Sequence, residues 1–443
     1  MDDPHPHRPH SPPPLPGPGG RSEAGFTDYK PALGPAQALA EANRCLYCVD
    51  APCVQHCPTS INIPEFIRKI STGNLRGSAR TILEANIFGT SCARVCPVEV
   101  LCVGACVYNE MDAPPIAIGL LQRHATDAAL ANDRRFFAAG PDSGCSVGLI
   151  GGGPASLAAA HELRRHGHAC TIYDAGRWLG GLNTTGVAPY KLRADDALAE
   201  VEYVLGIGGI AVESGVQVGR DITWEQLLAR HDALFVGVGL GADRTLDIPG
   251  KELAGIGGAV AFIERFKLGT VDLSAVRRAV VIGGGNTAID AVRELIGLGV
   301  PDVTMLYRGA PEQMSGYAHE WKAAKIEGAR AVFHARPVAY TGADGRVTGV
   351  RCAGPAGEFE APADLVLLAI GQARLGELVA GLAGVQLEGG RIVVDEDGAT
   401  GNPRVFAGGD CANGGKEVVN AVAEGKRAAL AIDRALAARK GAR

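Results

Sequence analysis

The cysteines of this chain are concentrated in two short runs near its N-terminal end. Eight of the 12 cysteines lie in these runs, and each run contains a Cys-Pro pair. The positions are Cys45, Cys48, Cys53 and Cys57 in the first run, and Cys92, Cys96, Cys102 and Cys106 in the second. Dense thiolates with a proline after a late member are typical ligands of cubane iron–sulfur clusters. The pattern therefore predicts two [4Fe-4S] clusters that carry electrons one at a time.

Other uses of these thiols fit the sequence less well. A disulfide framework needs an oxidising compartment, and no secretory signal is apparent. Zinc is a second alternative, because Cys45-x-x-Cys48 has the spacing of zinc ligands. Zinc sites usually add a separated pair or histidine partners, however, and His56 is the one histidine near the runs. Inert thiols are the remaining alternative.

Charge and hydropathy argue against several kinds of partner. The net charge is −5 and the pI is near 6.1, which disfavours nucleic acid and acidic membrane surfaces. No apolar run of membrane-spanning length occurs, so no membrane span is expected. Residues 1–30 begin with a Pro- and His-rich stretch that lacks the apolar centre of a secretory signal. We expect this segment to be a disordered tail and the protein to be cytoplasmic.

A first βαβ unit follows, with strand Ser146–Ile150, a glycine-rich turn, a helix, and a second strand that ends at Asp174. This order is the dinucleotide-binding fingerprint, in which the pyrophosphate lies on the helix N-terminus. Asp174 stands where an acid binds a ribose hydroxyl. The turn and the start of the helix supply the candidate residues Gly151, Gly153, Pro154, Ala155 and Ser156.

A second βαβ unit of the same plan begins at strand Arg278–Ile282 and predicts a second dinucleotide. Its candidate residues are Gly283, Gly285, Asn286, Thr287 and Ala288. The next strand leads to Arg308 rather than to an acid, and an arginine there accommodates a 2′-phosphate or stacks on an adenine. No second cation follows it, so the choice between NADH and NADPH stays open, as does a role for Arg308 as an ordinary surface residue.

A third motif near the C-terminus, a short strand followed by Gly409 and Asp410, suits contact with the ribityl chain of a flavin. The helix after it would point its positive dipole towards the flavin. Gly181 and Leu182 complete the set of candidate flavin contacts. No Cys-x-x-Cys pair of the thioredoxin reductase type lies beside either glycine-rich motif, which disfavours disulfide reduction.

Together these motifs predict an α/β protein in which an N-terminal all-helical two-cluster iron–sulfur domain precedes two interleaved Rossmann-like domains. The expected boundaries are 31–140 for the helical [4Fe-4S] domain and 273–372 for the NAD(P)H-binding domain. The FAD-binding domain is expected to be discontinuous, with residues 141–272 joined by 373–443.

The segment 44–127 resembles the N-terminal part of dihydropyrimidine dehydrogenase in RCLYCVDAPCVQHCPTSINI, SCARVCPVEVLCVGAC and IGLLQRHATD. The similarity continues through GLIGGGPASLAAAHEL, GGGNTAIDAV and VFAGGDCANGGKEVVNAV. One departure is Ala188-Pro189-Tyr190, where relatives usually have Ile-Pro and then an aromatic residue. The chain lacks the FMN-containing barrel of the eukaryotic enzyme, so it is most similar to the electron-input subunit of the bacterial NAD-dependent enzyme.

The resemblance also implies the ligands of the two clusters. One cluster would be bound by Cys45, Cys48, Cys53 and Cys106, and the other by Cys57, Cys96, Cys102 and the side-chain oxygen of Gln122. Cys92 corresponds to a family cysteine that is not a ligand. Without the resemblance, Gln122 would be interpreted as a hydrogen-bonded residue of an apolar helix.

The function implied is oxidation of NAD(P)H by an FAD and iron–sulfur subunit, with electrons passed to a partner FMN and iron–sulfur barrel subunit that reduces uracil or thymine. No side chain is expected to act as a catalytic acid or base, since positioning the nicotinamide against the flavin is the catalysis. One alternative is a glutamate synthase small-subunit-like reductase with another acceptor. A redox sensor that only binds flavin and a free-standing diaphorase are the others.

Overall fold

The structure is a computed structural model, and it describes residues 17–441. The predicted disordered tail therefore lies partly outside the described residues. Its second half, residues 17–30, is ordered, so the prediction is wrong for this part. Short 3-10 turns span Pro18–Gly20 and Ser22–Gly25, and Phe26 is buried against Tyr190 and Phe266. The Pro- and Gly-rich composition of this segment gave no sign that Phe26 would be buried against the rest of the protein.

Helices dominate the described chain up to residue 131, as predicted. They begin after local caps, as when Asn62 accepts the N–H of Glu65 through its side-chain oxygen. Their apolar faces form one core that includes Phe66, Ile82 and Leu121. The bounds are α1 (Pro35–Ala42), α2 (Pro52–Gln55), α3 (Ile63–Ser71), α4 (Leu75–Ala85), α5 (Gly89–Val95) and α6 (Ile118–Ala131).

Alternating strands and helices follow. The first series is β1 (Ser146–Ile150), α7 (Pro154–Arg165), β2 (Ala169–Asp174), α8 (Leu182–Thr185), α9 (Ala194–Leu205), β3 (Ile210–Ser214), α10 (Trp224–Arg230) and β4 (Ala233–Val236). The second series is β5 (Ile256–Gly258), α11 (Ala259–Leu268), β6 (Arg278–Ile282), α12 (Asn286–Gly297), β7 (Asp302–Leu306), α13 (Ala318–Ile326) and β8 (Arg330–Val332).

The remaining elements close the fold. They are β9 (Arg336–Ala343), β10 (Arg346–Gly354), β11 (Gly357–Pro362), β12 (Leu365–Leu368), β13 (Leu387–Glu388), β14 (Arg391–Ile392), β15 (Val405–Ala407), α14 (Asp410–Asn413) and α15 (Val418–Gly441). Strands β9 to β11 form an antiparallel meander, and β13 and β14 form a small hairpin. No helix of the described chain has both the length and the apolar character needed to cross a membrane.

Two five-stranded parallel sheets carry the glycine-rich motifs. The first has the order β15-β4-β1-β2-β3 and the second β5-β12-β6-β7-β8. Central strands such as β4 are buried on both faces, as expected where helices cover a parallel sheet. Because β15 pairs with β4, the C-terminal segment returns to the first sheet. The predicted α/β class, with two Rossmann-like units after a helical domain, is confirmed.

The second Rossmann-like unit begins before the predicted boundary at residue 273. Strand β5 (Ile256–Gly258) pairs with β12 in the second sheet, and α11 packs in the same core as α12. The boundary was misplaced because β5 has three residues, two of them glycine, and shows no apolar strand pattern.

Glu200 joins the helical domain to the first Rossmann-like unit. It is fully buried on α9, and its carboxylate accepts the backbone N–H groups of Thr90 at 2.7 Å and Ser91 at 3.0 Å, in the first turn of α5. The hydroxyl of Ser91 also donates to it. Burial raises the pKa of Glu200 to about 7, against the opposing effect of these hydrogen bonds.

This shift predicts a pH-dependent contribution to stability. The folded protein holds the Glu200 proton between the ordinary pKa of 4.5 and about 7, so this contribution to the free energy of unfolding falls as pH rises through that window. Compared with Glu200→Gln, the wild type should therefore lose stability between pH 5.5 and pH 8 in urea unfolding. Glu202→Gln, on the exposed face of α9, is the control. An equal difference at both pH values would contradict this account.

A second prediction concerns the contact between α7 and α15. A Cβ on Gly425 of α15 would lie 2.0 Å from the carbonyl oxygen of Ala155. Alanine normally stabilises a helix by about 1 kcal/mol relative to glycine, but here it would separate the two helices. We expect Gly425→Ala to lower the free energy of unfolding by about 1–3 kcal/mol. The exposed change Arg427→Ala on the same helix should have little effect, and a stabilised Gly425→Ala protein would contradict the packing.

Candidate cofactor sites

The first glycine-rich loop opens a cavity at the carboxyl end of β1. Gly151 has a φ of 91°, and a Cβ there would lie 2.5 Å from the carbonyl oxygen of Gly237, so glycine is required. Gly153 precedes α7, and no described heavy atom lies within 4 Å of the position of its missing Cβ. The N-terminus of α7 therefore faces open space, where its N–H groups favour an anion such as a pyrophosphate.

Ser156 packs between α7 and the first sheet. It is fully buried, and a Cβ on Gly237 would lie 2.3 Å from its hydroxyl oxygen, so α7 approaches the sheet closely here. Pro154 is the first residue of α7, and Ala155 follows it along the cavity wall.

Asp174 is fixed beside the glycine loop. Its two oxygens accept the backbone N–H groups of Gly152 at 2.5 Å and Gly176 at 2.6 Å. Burial raises the pKa of Asp174, and the two hydrogen bonds oppose that shift. The Asp174 side chain lines the cavity, and its contact with a ribose stays a prediction.

Gly409 and Asp410 reach the same place from the C-terminal segment. Gly409 has a φ of 76°, and its N–H donates to Glu424 at 2.7 Å. Asp410 is the first residue of α14, and burial raises its pKa, while the N–H of Lys416 at 3.3 Å opposes the shift. Because β15 pairs with β4 next to β1, the Asp410 carboxylate and the first glycine loop face one cavity.

That cavity has a volume of about 390 Å³ and is bounded by all three domains. The first Rossmann-like unit contributes Gly151, Gly153, Pro154, Ala155, Asp174, Gly181, Leu182, Gly409 and Asp410 to its walls. The second contributes Asn286, Asp290, Tyr317 and Glu320, and the helical domain contributes Val95. A helix start that favours an anion, two carboxylates that can accept from hydroxyl groups and a space shared by the two units fit a flavin dinucleotide.

The second glycine-rich loop is built like the first. Gly283 has a φ of 150°, and a Cβ there would lie 2.3 Å from the carbonyl oxygen of Ala369. Gly285 precedes α12, whose first residue, Asn286, lines the shared cavity and accepts the N–H of Tyr317 at 2.9 Å. Thr287 and the fully buried Ala288 continue the helix. The two fingerprints therefore approach each other across one space.

Arg308 is not among the residues that line this cavity in the described chain. It is exposed, two residues beyond the end of β7 at Leu306. Tyr307, the residue between them, packs its ring against Gly284 and donates its hydroxyl to the carbonyl of Gln313 at 2.6 Å. The proposed adenosine contact of Arg308 stays a prediction.

Several cavity residues were missed by sequence reasoning. The ammonium of Lys191, from the first Rossmann-like unit, lies 2.9 Å from Asp290 and 2.7 Å from Glu320 of the second. Tyr317 donates its hydroxyl to Glu417 at 2.6 Å, again between the units. These side chains belong to no local motif, and only the packing of one unit on the other brings them together.

Four cysteines of the predicted first cluster surround one small pocket. Cys45, Cys48, Cys53 and Cys106 line it together with apolar side chains such as Ile67. Burial raises the pKa of Cys53 to about 11. Thiols in such surroundings ionise readily only beside a positive charge, which the irons of a cluster supply.

Cys57, Cys96 and Cys102 form a second group next to the first. The Cys92 thiol and burial raise the pKa of Cys96, and the charges of Cys57 and Cys102 add to this effect. Burial raises the pKa of Cys102 to about 12, with further contributions from Cys57 and from Cys53 of the first group. The two cysteine groups are therefore neighbours in space.

Gln122 is buried on α6, which packs against the cysteine-bearing helix α5. Its amide nitrogen donates to the carbonyl oxygen of Gly89 at 2.7 Å. The side-chain oxygen is consequently the end directed away from Gly89, which suits an oxygen ligand held in a fixed orientation.

Within residues 17–441, no three His, Cys, Asp or Glu side chains are placed to hold a metal ion. A cubane cluster is larger than one ion and keeps its thiolate ligands further apart. Two neighbouring groups of thiols supply the ligand type that iron–sulfur clusters use.

Two family matches cover most of the chain. Residues 21–134 match the family described as dihydropyrimidine dehydrogenase domain II, 4Fe-4S cluster. Residues 146–425 match the pyridine nucleotide-disulphide oxidoreductase family. The predicted cofactors, FAD, NAD(P)H and [4Fe-4S] centres, are confirmed at the level of these families.

Relatives extend over nearly the whole chain. The NAD-dependent dihydropyrimidine dehydrogenase subunit PreT of Escherichia coli K12 is 36% identical over 407 residues, which is 91% of this chain and 96% of PreT. The glutamate synthase [NADPH] small chain of Halomonas elongata is 33% identical over 444 residues, 92% of each chain. The predicted resemblance to the electron-input subunit of the bacterial enzyme is confirmed.

Solved structures agree in fold. FprA of Mycobacterium tuberculosis superposes with a TM-score of 0.57 at 20% identity, over 67% of this chain and 86% of FprA. Thioredoxin reductase of T. acidophilum gives a TM-score of 0.54 at 22% identity, over 65% of this chain and 97% of its own.

The position of Asp410 leads to a prediction for flavin affinity. A charge-assisted hydrogen bond is worth about 1.5–3 kcal/mol, so Asp410→Ala should weaken FAD binding accordingly and leave NAD(P)H binding nearly unchanged. Equilibrium titration of the apoprotein with each cofactor measures both effects. Glu388→Gln, at an exposed position of the same domain, is the control. Equal loss of both cofactors, or of neither, would contradict the placement.

Proposed function

Since the chain belongs to the pyridine nucleotide-disulphide oxidoreductase family and carries an iron–sulfur domain, we propose that it is an electron-input subunit. It oxidises NAD(P)H at the second Rossmann-like unit and passes the electrons through FAD and two [4Fe-4S] clusters to a partner. The partner is a subunit with an FMN and iron–sulfur barrel, and it reduces uracil or thymine to the 5,6-dihydropyrimidine.

The observation that carries this proposal is the cavity shared by three domains. The helix start at Gly153 and the helix start at Asn286 both reach it, and Val95 lines it from α5. Val95 directly precedes Cys96, so the second cysteine group begins at the wall of the flavin site. A hydride donor, a flavin and a cluster are thereby brought next to one another.

The residues of the chain bind and orient rather than react. FAD, when bound, accepts a hydride and releases its electrons singly, which the clusters require. The N-terminus of α7 would hold the pyrophosphate, while Asp174 and Asp410 would hold hydroxyl groups. Lys191, bound to Asp290 and Glu320, joins the two units at the wall of the cavity.

The proposed ligand sets give the clusters an order. Cys57, Cys96, Cys102 and Gln122 would hold the cluster nearer the flavin cavity. Cys45, Cys48, Cys53 and Cys106 would hold the outer one. Beside the outer set, Leu46 is 51% exposed and Val49 is 97% exposed, which is unusual for apolar residues next to a redox centre. Exposed apolar surface of this kind suits contact with a partner protein.

The identity of the partner is supported by the relatives and by the cysteine spacing. PreT is named as a subunit of a dihydropyrimidine dehydrogenase, and the glutamate synthase small chain is named as a chain of another enzyme. The spacing Cys96-x5-Cys102-x3-Cys106 favours the pyrimidine branch over glutamate synthase, whose second run is shorter. Both relatives are named as parts of larger enzymes, which supports a heteromer.

Coexpression with a barrel subunit tests the proposal. The purified complex should oxidise NADH or NADPH in the presence of uracil and form dihydrouracil, as measured by chromatography. The isolated chain should bleach its flavin band with the same donor. Glutamate formation with a glutaminase-type large subunit, without uracil reduction, would overturn the assignment. A flavin that no nicotinamide donor bleaches would favour a redox sensor.

The ligand set of the outer cluster gives a specific prediction. Cys53→Ser should remove about four irons of eight per chain and leave the FAD content intact, since Cys53 lies far from the flavin cavity in sequence and lines a separate pocket. Iron and flavin analysis after anaerobic purification measures both. Cys352→Ser, a buried cysteine of the meander, is the control. Unchanged iron in Cys53→Ser would contradict the assignment.

Gln122 gives a prediction for the other cluster, the one nearer the flavin cavity. A neutral oxygen in place of a thiolate makes the cluster less negative, which favours its reduced form. Gln122→Cys should therefore keep the cluster and lower its potential, and Gln122→Ala should destabilise it and spare the flavin. Redox titration followed by electron paramagnetic resonance distinguishes the two. Two unchanged cluster signals in Gln122→Ala would return Gln122 to an ordinary helix position.

A further inference from the structure

A fully buried lysine lies behind the flavin cavity. Lys267 is in the last turn of α11, and its side chain has no exposure. Its ammonium donates to the backbone carbonyl oxygens of Asn183 and Val187, both at 2.8 Å. Asn183 and Val187 line the cavity. The lysine therefore holds the wall of the flavin site from outside.

The charges around Lys267 come from different parts of the chain. Glu23 of the N-terminal segment and Glu294 of α12 are both buried and interact with its charge. Asp196 of α9 adds to the negative surroundings, and Arg21 opposes them. Neither carboxylate oxygen of Glu294 has a hydrogen-bond partner among the described residues. Carboxyl groups from three parts of the chain thus surround the lysine, and burial lowers the pKa of Lys267 to about 7 while Glu23 and Glu294 oppose that shift.

A lysine with a purely structural role would cost more free energy at this position than an apolar residue. Burying an ammonium costs several kcal/mol unless it is paired and hydrogen-bonded, and an apolar residue fills such a space at lower cost. Lys267 donates two of its three N–H groups to carbonyl oxygens of one short segment. The contact is thus directed at residues 181–187.

Residues 180–181, at the start of that segment, contact the first glycine-rich loop at Gly152 and Gly153. A Cβ on Gly181, which has a φ of 53°, would lie 3.0 Å from the Cα of Gly153. The N–H of Gly180 donates to the carbonyl of Gly152 at 2.8 Å. A displacement of residues 181–187 would therefore change the space in front of the α7 N-terminus.

We propose that Lys267 is a positioning residue of the flavin site, whose ammonium turns the carbonyl groups of Asn183 and Val187 away from the bound anion and fixes residues 181–187 against Gly153. This inference rests on the proposed flavin site. Carbonyl oxygens that faced the cavity would repel a pyrophosphate, and the lysine holds these two in the opposite direction. Glu23 links the N-terminal segment to the same arrangement, since its carboxylate also accepts the N–H of Ala194 at 3.1 Å.

The test compares Lys267→Met with Phe266→Leu, its buried neighbour on α11, which packs on Phe26 and Phe262. Both changes should lower thermal stability. Only Lys267→Met should raise the Kd for FAD, by about 10- to 100-fold, and it should shift the flavin midpoint potential. Equal FAD affinity in the two variants would make Lys267 merely structural and overturn the proposal.

Hydrogen exchange of the wild-type apoprotein gives an independent measurement if Lys267→Met does not fold. The proposal predicts that amides 182–187 are protected before FAD is added, at a level close to that of the holoprotein. Free exchange of these amides in the apoprotein would overturn it. Failure of the wild type to bind FAD at all would instead refute the proposed function.

Discussion

The contact between the Glu200 carboxylate and the N-terminus of α5 is the interaction on which the function of this fold depends. A hydride carries two electrons, and an iron–sulfur cluster takes one, so the flavin and the first cluster must be close. Glu200 binds the first turn of the helix that leads to Cys96. It thereby places the cysteine-bearing domain against the Rossmann-like unit that forms the flavin cavity. The carboxyl group is fully buried and accepts from three donors of α5, which favours one fixed geometry.

The second Rossmann-like unit is held by a different set of contacts. Lys191 pairs with Asp290 and Glu320, and Tyr317 binds Glu417, all at the edge of the shared cavity. The ion pairs of Lys191 are largely removed from solvent, so each charge depends on its partner for stabilisation. The polar groups that join the two units therefore also line the shared cavity.

The local motifs were predicted well because they depend on nearby residues. The strands that precede Gly151 and Gly283 have the predicted bounds. Local rules could not find what only tertiary packing creates. Strand β5 has no apolar pattern, yet it pairs with β12. The second Rossmann-like unit therefore begins earlier than residue 273. The composition of the N-terminal segment predicted disorder, whereas in the structure Phe26 packs against Phe266.

The candidate sites divide along the same line. Glycine spacing and cysteine spacing pointed to residues such as Gly151, Gly153, Cys45 and Cys53, which line a cavity and a pocket, while their cofactor contacts stay predictions. Lys191 and Lys267 belong to no sequence motif. Their roles could not be predicted, because the partners of both side chains come from distant parts of the sequence. Arg308 was chosen by its place after a strand, and in the structure it is exposed and is not among the residues that line the cavity.

Reductive titration under anaerobic conditions tests the central claim most directly, namely that one chain holds a flavin and two clusters in electronic contact. The as-purified protein is titrated with dithionite and followed by absorbance and electron paramagnetic resonance. The account predicts uptake of about four electrons per FAD, two by the flavin and one by each cluster. An uptake of about two electrons per FAD, with no cluster signal, would contradict it.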